Sequence, residues 1–189
     1  MSQVIVIEFV SLDGVIQDPD GNEGFRQGGW AFRYGPEPVT GDPFALGAVL
    51  GTGALLLGRR TWEMFAKIWP GRDDPFSARM NAMPKLVASR SLVQAAGWQN
   101  STVLQGDLAA AARERKRAQD IVVMGSASVV RLLMAAGLVD EYRLLVFPVV
   151  LGAGTRLFPD GTAPADLALV SAGTRGAAAR LVYTRPGNS

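Results

Sequence analysis

Short aliphatic runs, each closed by glycine or a polar turn, alternate along this chain with stretches of helical periodicity. Val4 to Val10 is mostly apolar with little alternation, the pattern of a buried strand. Ala54-Leu55-Leu56-Leu57, Lys85 to Ala88, Thr102-Val103-Leu104 and Ile121 to Met124 repeat the pattern in shorter form. Between them the spacing predicts helices. One runs to about Leu50, opened by Asp42-Pro43 as N-cap and first-turn proline; the others are Thr61 to Ile68, Asp107 to Arg117, and Ser128 to Ala136 closed by Gly137. Residues 17 to 43, rich in glycine, proline, aspartate and aromatic residues, form a long loop read as a lid or substrate-side loop. Residues 71 to 83 form a second polar loop with room for a helical turn. The tail changes character. Glu141 to Val150 is a long strand interrupted by Pro148, and Ala165 to Ser171 and Ala177 to Thr184 flank Gly173-Thr174-Arg175-Gly176 in a hairpin pattern. Alternating strands and helices followed by a hairpin predict one α/β domain over residues 1–189. Its sheet is largely parallel, with an antiparallel edge at the carboxyl end.

Composition narrows the chemistry. The chain has 189 residues, 48% hydrophobic and 19% charged, a globular balance with a net charge of only +2. The basic run Arg113-Glu114-Arg115-Lys116-Arg117 contains an acid and no interleaved aromatic residue, so it reads as a solvated helix face rather than a nucleic-acid patch. Cysteine and histidine are both absent. That removes disulfides, thiol nucleophiles, Ser-His-Asp triads and imidazole metal sites, and no metal site is expected. No apolar run approaches about 20 residues, the length that spans a bilayer. No signal-peptide layout opens the chain, and a cytoplasmic location is the default expectation.

Four segments at the ends of aliphatic runs can carry function. Gly58-Arg59-Arg60-Thr61 joins a strand to a helix; early helix N–H groups and the Thr61 hydroxyl suit a pyrophosphate, with arginine charge beside them. The plain reading is a capped helix with two solvated arginines. Ser89-Arg90 follows a strand, and a hydroxyl with a guanidinium suits a phosphate monoester such as a ribose 2′-phosphate, which implies NADPH over NADH. The alternative is an ordinary polar strand end. Gly125-Ser126-Ala127-Ser128 lets backbone approach a ligand, or packs strand on helix tightly without one. It is neither G-x-G-x-x-G nor a P-loop. Asp13-Gly14 closes the first strand, either as a turn or by shaping a loop over a cofactor or contacting substrate.

Together these residues resemble the dihydrofolate reductase superfamily. The likeness is closer to the branch that includes the reductase domain of bacterial riboflavin biosynthesis. It covers nearly the whole chain and rests on Ser11 to Gly14, Gly28-Gly29-Trp30, Leu57 to Phe65, Lys85 to Leu92, Gly125 to Leu133 and Gly137 to Phe158. The resemblance implies a three-layer α/β/α fold. It implies that Gly58, Arg59 and Thr61 meet the pyrophosphate and the adenosine 2′-phosphate, and that Ser89 and Arg90 meet the adenosine side. Gly125, Ser126, Ala127 and Val129 would line the diphosphate and nicotinamide side, with Val10 and Ile16 bordering the nicotinamide. The family often has two glycines where this chain has Gly125-Ser126. The counterpart of the acid that holds the pterin in dihydrofolate reductases is Asp42, which also makes a good N-cap. The deaminase that often accompanies the riboflavin-pathway reductase needs zinc ligands from His and Cys, so this chain holds no such deaminase.

The expectation is an NADPH-dependent reductase acting by hydride transfer on a small-molecule substrate. Candidates are a 5-amino-6-(5-phosphoribosylamino)uracil-like pyrimidine or a pterin. Trp30, Phe32, Phe44 and Leu46 form an apolar wall for a flat ring or, for the last two equally, pack in the core. Protonation would come from Asp42, Asp13 or an ordered water. The alternative is an NADPH-binding module without turnover, a sensor or carrier. No nucleic-acid or membrane partner is expected. A homodimer through the apolar carboxyl-terminal strands is expected.

Overall fold

The computed structural model describes residues 2–187. Its strands are β1 (Val4–Ser11), β2 (Ala54–Gly58), β3 (Lys85–Ala88), β4 (Ser101–Leu104), β5 (Ile121–Met124), β6 (Glu141–Phe147), β7 (Ala168–Arg175) and β8 (Ala178–Thr184). The helices are α1 (Val49–Thr52), α2 (Arg59–Ile68), α3 (Pro75–Ala82), α4 (Leu108–Lys116) and α5 (Ala127–Ala135). The strands form one sheet in the order β4-β3-β2-β5-β1-β6-β8-β7. The expected α/β class holds, with a mostly parallel sheet and antiparallel pairing at its carboxyl-terminal end. The chain divides into two compact units, one of Met1–Ile5 with Leu46–Val139 and the other of Val6–Ala45 with Asp140–Ser189.

The first unit is the α/β part. β2 pairs in parallel with β3 and with β5, and β3 with β4. Leu55, Leu56, Leu57, Val87 and the Ile121-Val122-Val123 run are buried, because a parallel strand is covered on both faces. β2 ends at Gly58, which leads directly into α2, and β5 ends at Met124, from which Gly125 and Ser126 lead into α5. Residues 71 to 83, expected as a polar loop with room for a helical turn, hold the eight-residue helix α3. Asp74 caps it by accepting from Phe76 N and Ser77 N, each at 3.1 Å, and Pro75 takes the first helical position.

The second unit is built on antiparallel pairing of β6 with β8 and β8 with β7. β6 stops at Phe147, before Pro148, whose missing N–H cannot continue a ladder. β7 runs on through Gly173-Thr174-Arg175, most of the segment expected as the turn. Of the expected turn residues only Gly176, at φ +55°, turns the chain, together with Ala177. The long loop from residue 17 is not loose. Asp18, buried and left-handed at φ +52°, accepts from Glu23 N and Phe25 N at 2.9 Å through its carboxylate and from Gly21 N and Gly29 N through its carbonyl. A Cβ at Gly28 would fall 2.3 Å from Asp18 Oδ2, so only glycine fits there. Trp30 Nε1 donates to Gln17 O, and a short 3-10 turn, Ala31–Tyr34, follows.

The helix expected from Asp42-Pro43 to Leu50 is absent over most of that span; only Val49–Thr52 is helical. Ala45 and Gly47 take positive φ, at +53° and +57°, and Ala45 N donates to Asp42 O in a turn. Arg143 on β6 donates to the carbonyls of Phe44 and Ala45. A long-range partner therefore takes carbonyls that a helix would have used internally.

Candidate active site

Among the described residues four helices have eight residues or more, and their N-termini divide two and two. α3 and α4 are capped by side chains, Asp74 as above and Asp107, which accepts from Ala110 N at 2.7 Å. α2 and α5 have no side-chain cap. α2 begins after Gly58, which has no side chain to offer. α5 begins after Ser126, one of the best capping residues, yet its hydroxyl turns elsewhere. Ser126 Oγ accepts from Gly58 N at 2.9 Å and lies 3.0 Å from Thr61 Oγ1 and 3.2 Å from Met124 O, to either of which it can donate. Thr61 Oγ1 donates to Gly125 O at 3.1 Å. Ser126 and Thr61 are both buried.

The two turns after the neighbouring strands β2 and β5 are thus tied to each other, while the first-turn N–H groups of both helices lack a capping side chain. Such termini carry partial positive charge and suit an anion. Gly125 sits at φ +65°, where a Cβ would press within 3.3 Å of Thr61 Cγ2, so glycine is needed for the turn itself. Gly58 differs. Its φ is −70°, and a Cβ there would make only ordinary contacts of 3.5–3.6 Å with Ser126 and Val129. The fold does not require this glycine. It leaves open a cradle that a Cβ would fill.

Beyond β3, Ser89 Oγ accepts from Leu92 N at 3.0 Å and Ser91 N at 3.3 Å, shaping the turn that presents exposed Arg90. Arg59 Nη1 donates to Ser91 Oγ at 3.0 Å, and its Nε lies 3.5 Å from Glu63 Oε1. Arg59 therefore joins the α2 start to the residue 89–92 turn. Ser91 and Glu63 were not among the residues expected. The Arg59/Glu63 spacing of four on a helix signals their pair, whereas nothing local signals Ser91. Uncapped N–H groups, Arg59 at the α2 start, exposed Arg90 beyond β3 and an open glycine cradle match in chemistry a dinucleotide's diphosphate and a phosphate monoester.

In the second unit, Val10 and Ile16 are buried at either end of the Ser11–Val15 turn. Ser11 Oγ donates to Asp13 Oδ1 at 2.7 Å and accepts from Val15 N. Leu151 N and Gly152 N also donate to the Asp13 carboxylate, at 3.1 and 2.8 Å. The Ser11 hydroxyl and then these amides hold its pKa down at about 2. Asp13 is an ionised acceptor at neutral pH that fastens residues 151–152, the geometry of a loop-shaping residue. Trp30 and Phe44 lie in an aromatic core around buried Phe147. Phe44 stacks on Phe9 at 5.2 Å between ring centroids, and Trp30 and Phe9 meet Phe147 edge-on at 5.5 and 5.6 Å. Phe32, by contrast, is 50% exposed. Leu46 is buried in the first unit. Asp42 is half-buried and, since no helix starts there, does not act as the expected N-cap.

Residues 2–181 match the sequence model of the RibD C-terminal domain. A relative from Bacillus subtilis (strain 168), the uncharacterized protein YyaP, is 27% identical over 179 residues, covering 91% of this chain and 88% of its own. Among solved structures, a protein from Shewanella sp. PV-4 provisionally named for riboflavin biosynthesis superposes with a TM-score of 0.74 at 22% identity. That match covers 97% of this chain and 98% of that one. A diaminohydroxyphosphoribosylaminopyrimidine deaminase/5-amino-6-(5-phosphoribosylamino)uracil reductase from Thermotoga maritima superposes with a TM-score of 0.59 at 14% identity, covering 97% of this chain and 56% of that one. The present chain thus spans about half the length of that two-activity protein. At these identities the structural likeness speaks for the fold. Among the described residues no helix is long and apolar enough to cross a membrane.

Proposed function

Since the chain belongs to the RibD C-terminal domain family, we propose that it is an NADPH-dependent reductase of a small heterocycle. The favoured substrate class is an aminopyrimidine bearing a phosphosugar, with a pterin as the other candidate. The observation that carries the reading is the pair of uncapped helix starts, α2 and α5, after neighbouring parallel strands, in a unit whose α3 and α4 are capped. Residues Gly58 to Thr61 and Gly125 to Val129 would hold the diphosphate. Ser89 and Arg90, with Arg59 beside them, would take the 2′-phosphate. Val10 and Ile16 would border the nicotinamide. The cofactor, when bound, supplies the hydride.

The protein's own part is to bind and orient. Backbone N–H groups and guanidinium groups neutralise the phosphates. Asp13 keeps its loop in place as an anion. With a pKa of about 2 it is a poor proton donor near neutral pH, which leaves Asp42 or an ordered water for that step. The same fact favours one other reading, an NADPH-binding module without turnover. A homodimer belongs to the proposal as well. β7 is the last strand of the sheet, and Leu167, Leu169 and Val170 are exposed on and before it, an uncovered apolar edge.

Titration with NADPH and NADH, followed by nicotinamide fluorescence, tests the cofactor. Clear preference for NADPH is expected, and binding of neither refutes the proposal. Loss of 340 nm absorbance with a phosphoribosylaminopyrimidine or a pterin then separates the reductase from the binding module. Light scattering should give the mass of two copies.

A further inference from the structure

Two hydroxyls link the two turns: Thr61 Oγ1 donates across to Gly125 O, and Ser126 Oγ reaches the other turn's backbone. The Ser126 hydroxyl accepts the Gly58 N–H from the β2–α2 turn and lies in bonding range of Thr61 Oγ1 on α2 and Met124 O at the end of its own strand. A serine at an N-cap ordinarily bonds the N–H groups of its own helix. Here it forgoes that bond, and α5 starts uncapped. It also removes the Gly58 N–H from the donors available to a ligand. Its buried oxygen is committed to protein partners on both turns.

We propose that Ser126 is a positioning residue. Its hydroxyl fixes the α2 start against the α5 start so that both uncapped termini serve one ligand with two linked phosphates. The inference rests on the dinucleotide reading above and deepens it by dividing the ligand into two parts. The diphosphate depends on the Ser126 link, and the 2′-phosphate depends on it far less, since of its expected contacts Ser89 and Arg90 lie beyond β3 and only Arg59 stands on α2. A shift of one helix start relative to the other weakens above all a ligand that bridges both.

The test is a calorimetric titration of wild type, Ser126→Ala and Ser126→Thr with NADPH and with adenosine 2′-monophosphate, which lacks the diphosphate. Amide exchange of Gly58 is followed in the free proteins. Ser126→Ala leaves the Gly58 N–H without its acceptor, so NADPH should weaken about tenfold or more. Adenosine 2′-monophosphate should change less than about twofold, within the noise of distant substitutions. Gly58 exchange should quicken. Ser126→Thr keeps the hydroxyl and should restore NADPH binding and Gly58 protection, and it answers the question even if the alanine variant does not fold. Equal weakening of both ligands, or no weakening of either, overturns the positioning role and leaves the cofactor reading standing. Weaker NADPH with Gly58 protection unchanged also overturns it, because the hydroxyl would then touch the ligand itself. If wild type binds neither ligand, the cofactor reading falls first.

Discussion

The turns of the two units treat their polar groups in opposite ways. In the second unit, the Asp18 carboxylate receives two backbone N–H groups and its carbonyl two more, and Asp13 receives a hydroxyl and two amides. In the first unit, the turns after β2 and β5 spend the hydroxyls of Ser126 and Thr61 on each other and leave two helix starts uncapped. A saturated turn is built to stay as it is. A turn with donors in reserve is built to meet something else, because buried or clustered donors left without partners cost stability. Placement at a strand's end is common to both regions, so placement alone would not have separated them.

The sharpest way to break this contrast is Asp18→Ala. It orphans Glu23 N and Phe25 N around a buried carboxylate and should cost about 3 kcal/mol in denaturant unfolding, at one to two charge-assisted bonds' worth. A loss below about 0.5 kcal/mol would mean the loop does not depend on its knot. Gly58→Ala probes the other side. Its Cβ fits the ligand-free fold, so stability should fall by less than about 1 kcal/mol. NADPH affinity should drop about thirtyfold, a ligand-only effect of about 2 kcal/mol. Equal damage to stability and binding would make Gly58 a fold residue like Gly28.

Arg90→Ala should weaken NADPH about tenfold while sparing NADH, since only the former carries the 2′-phosphate. Equal losses for both cofactors would remove Arg90 from that role.

The smallest expected effect concerns Lys85, a buried cation of the first unit. Lys85 Nζ donates to Asn81 O and sits 4.2 Å from the Trp98 ring centroid. Burial lowers its pKa from 10.5 to about 8. Between pH 8 and 10.5 the unfolded chain therefore holds more protons than the folded one, and stability should rise with pH by on the order of 1 kcal/mol. Lys85→Met should flatten that rise in urea melts across the same window, and an unchanged slope would refute it.

What could be read from the chain was whatever is local. The runs at β2, β3 and β5 are apolar because both faces of a parallel strand are covered, and each ends in a turn whose glycine or serine marks it. The candidate phosphate segments followed from those strand ends. α3 was legible only as room for a helical turn, because its capping aspartate and proline stand in a stretch too polar to show a helical stripe. The helix from Asp42 was misread for the opposite reason. Its start signal is sound, but the Phe44 and Ala45 carbonyls are taken by Arg143, far along the chain.

Which glycine serves the fold and which is left open, where Ser126 sends its hydroxyl, and why Asp13 stays charged were decided by tertiary structure. Distant partners enter these choices, as in Gly58 with Ser126 and Asp13 with Gly152, alongside nearer ones such as Ser11 with Asp13 and Asp18 with Gly28. A sequence records that a residue can donate, accept or turn. Hydrogen bonding acts over about 3 Å, so which partner receives the bond exists only once the strands have been laid side by side.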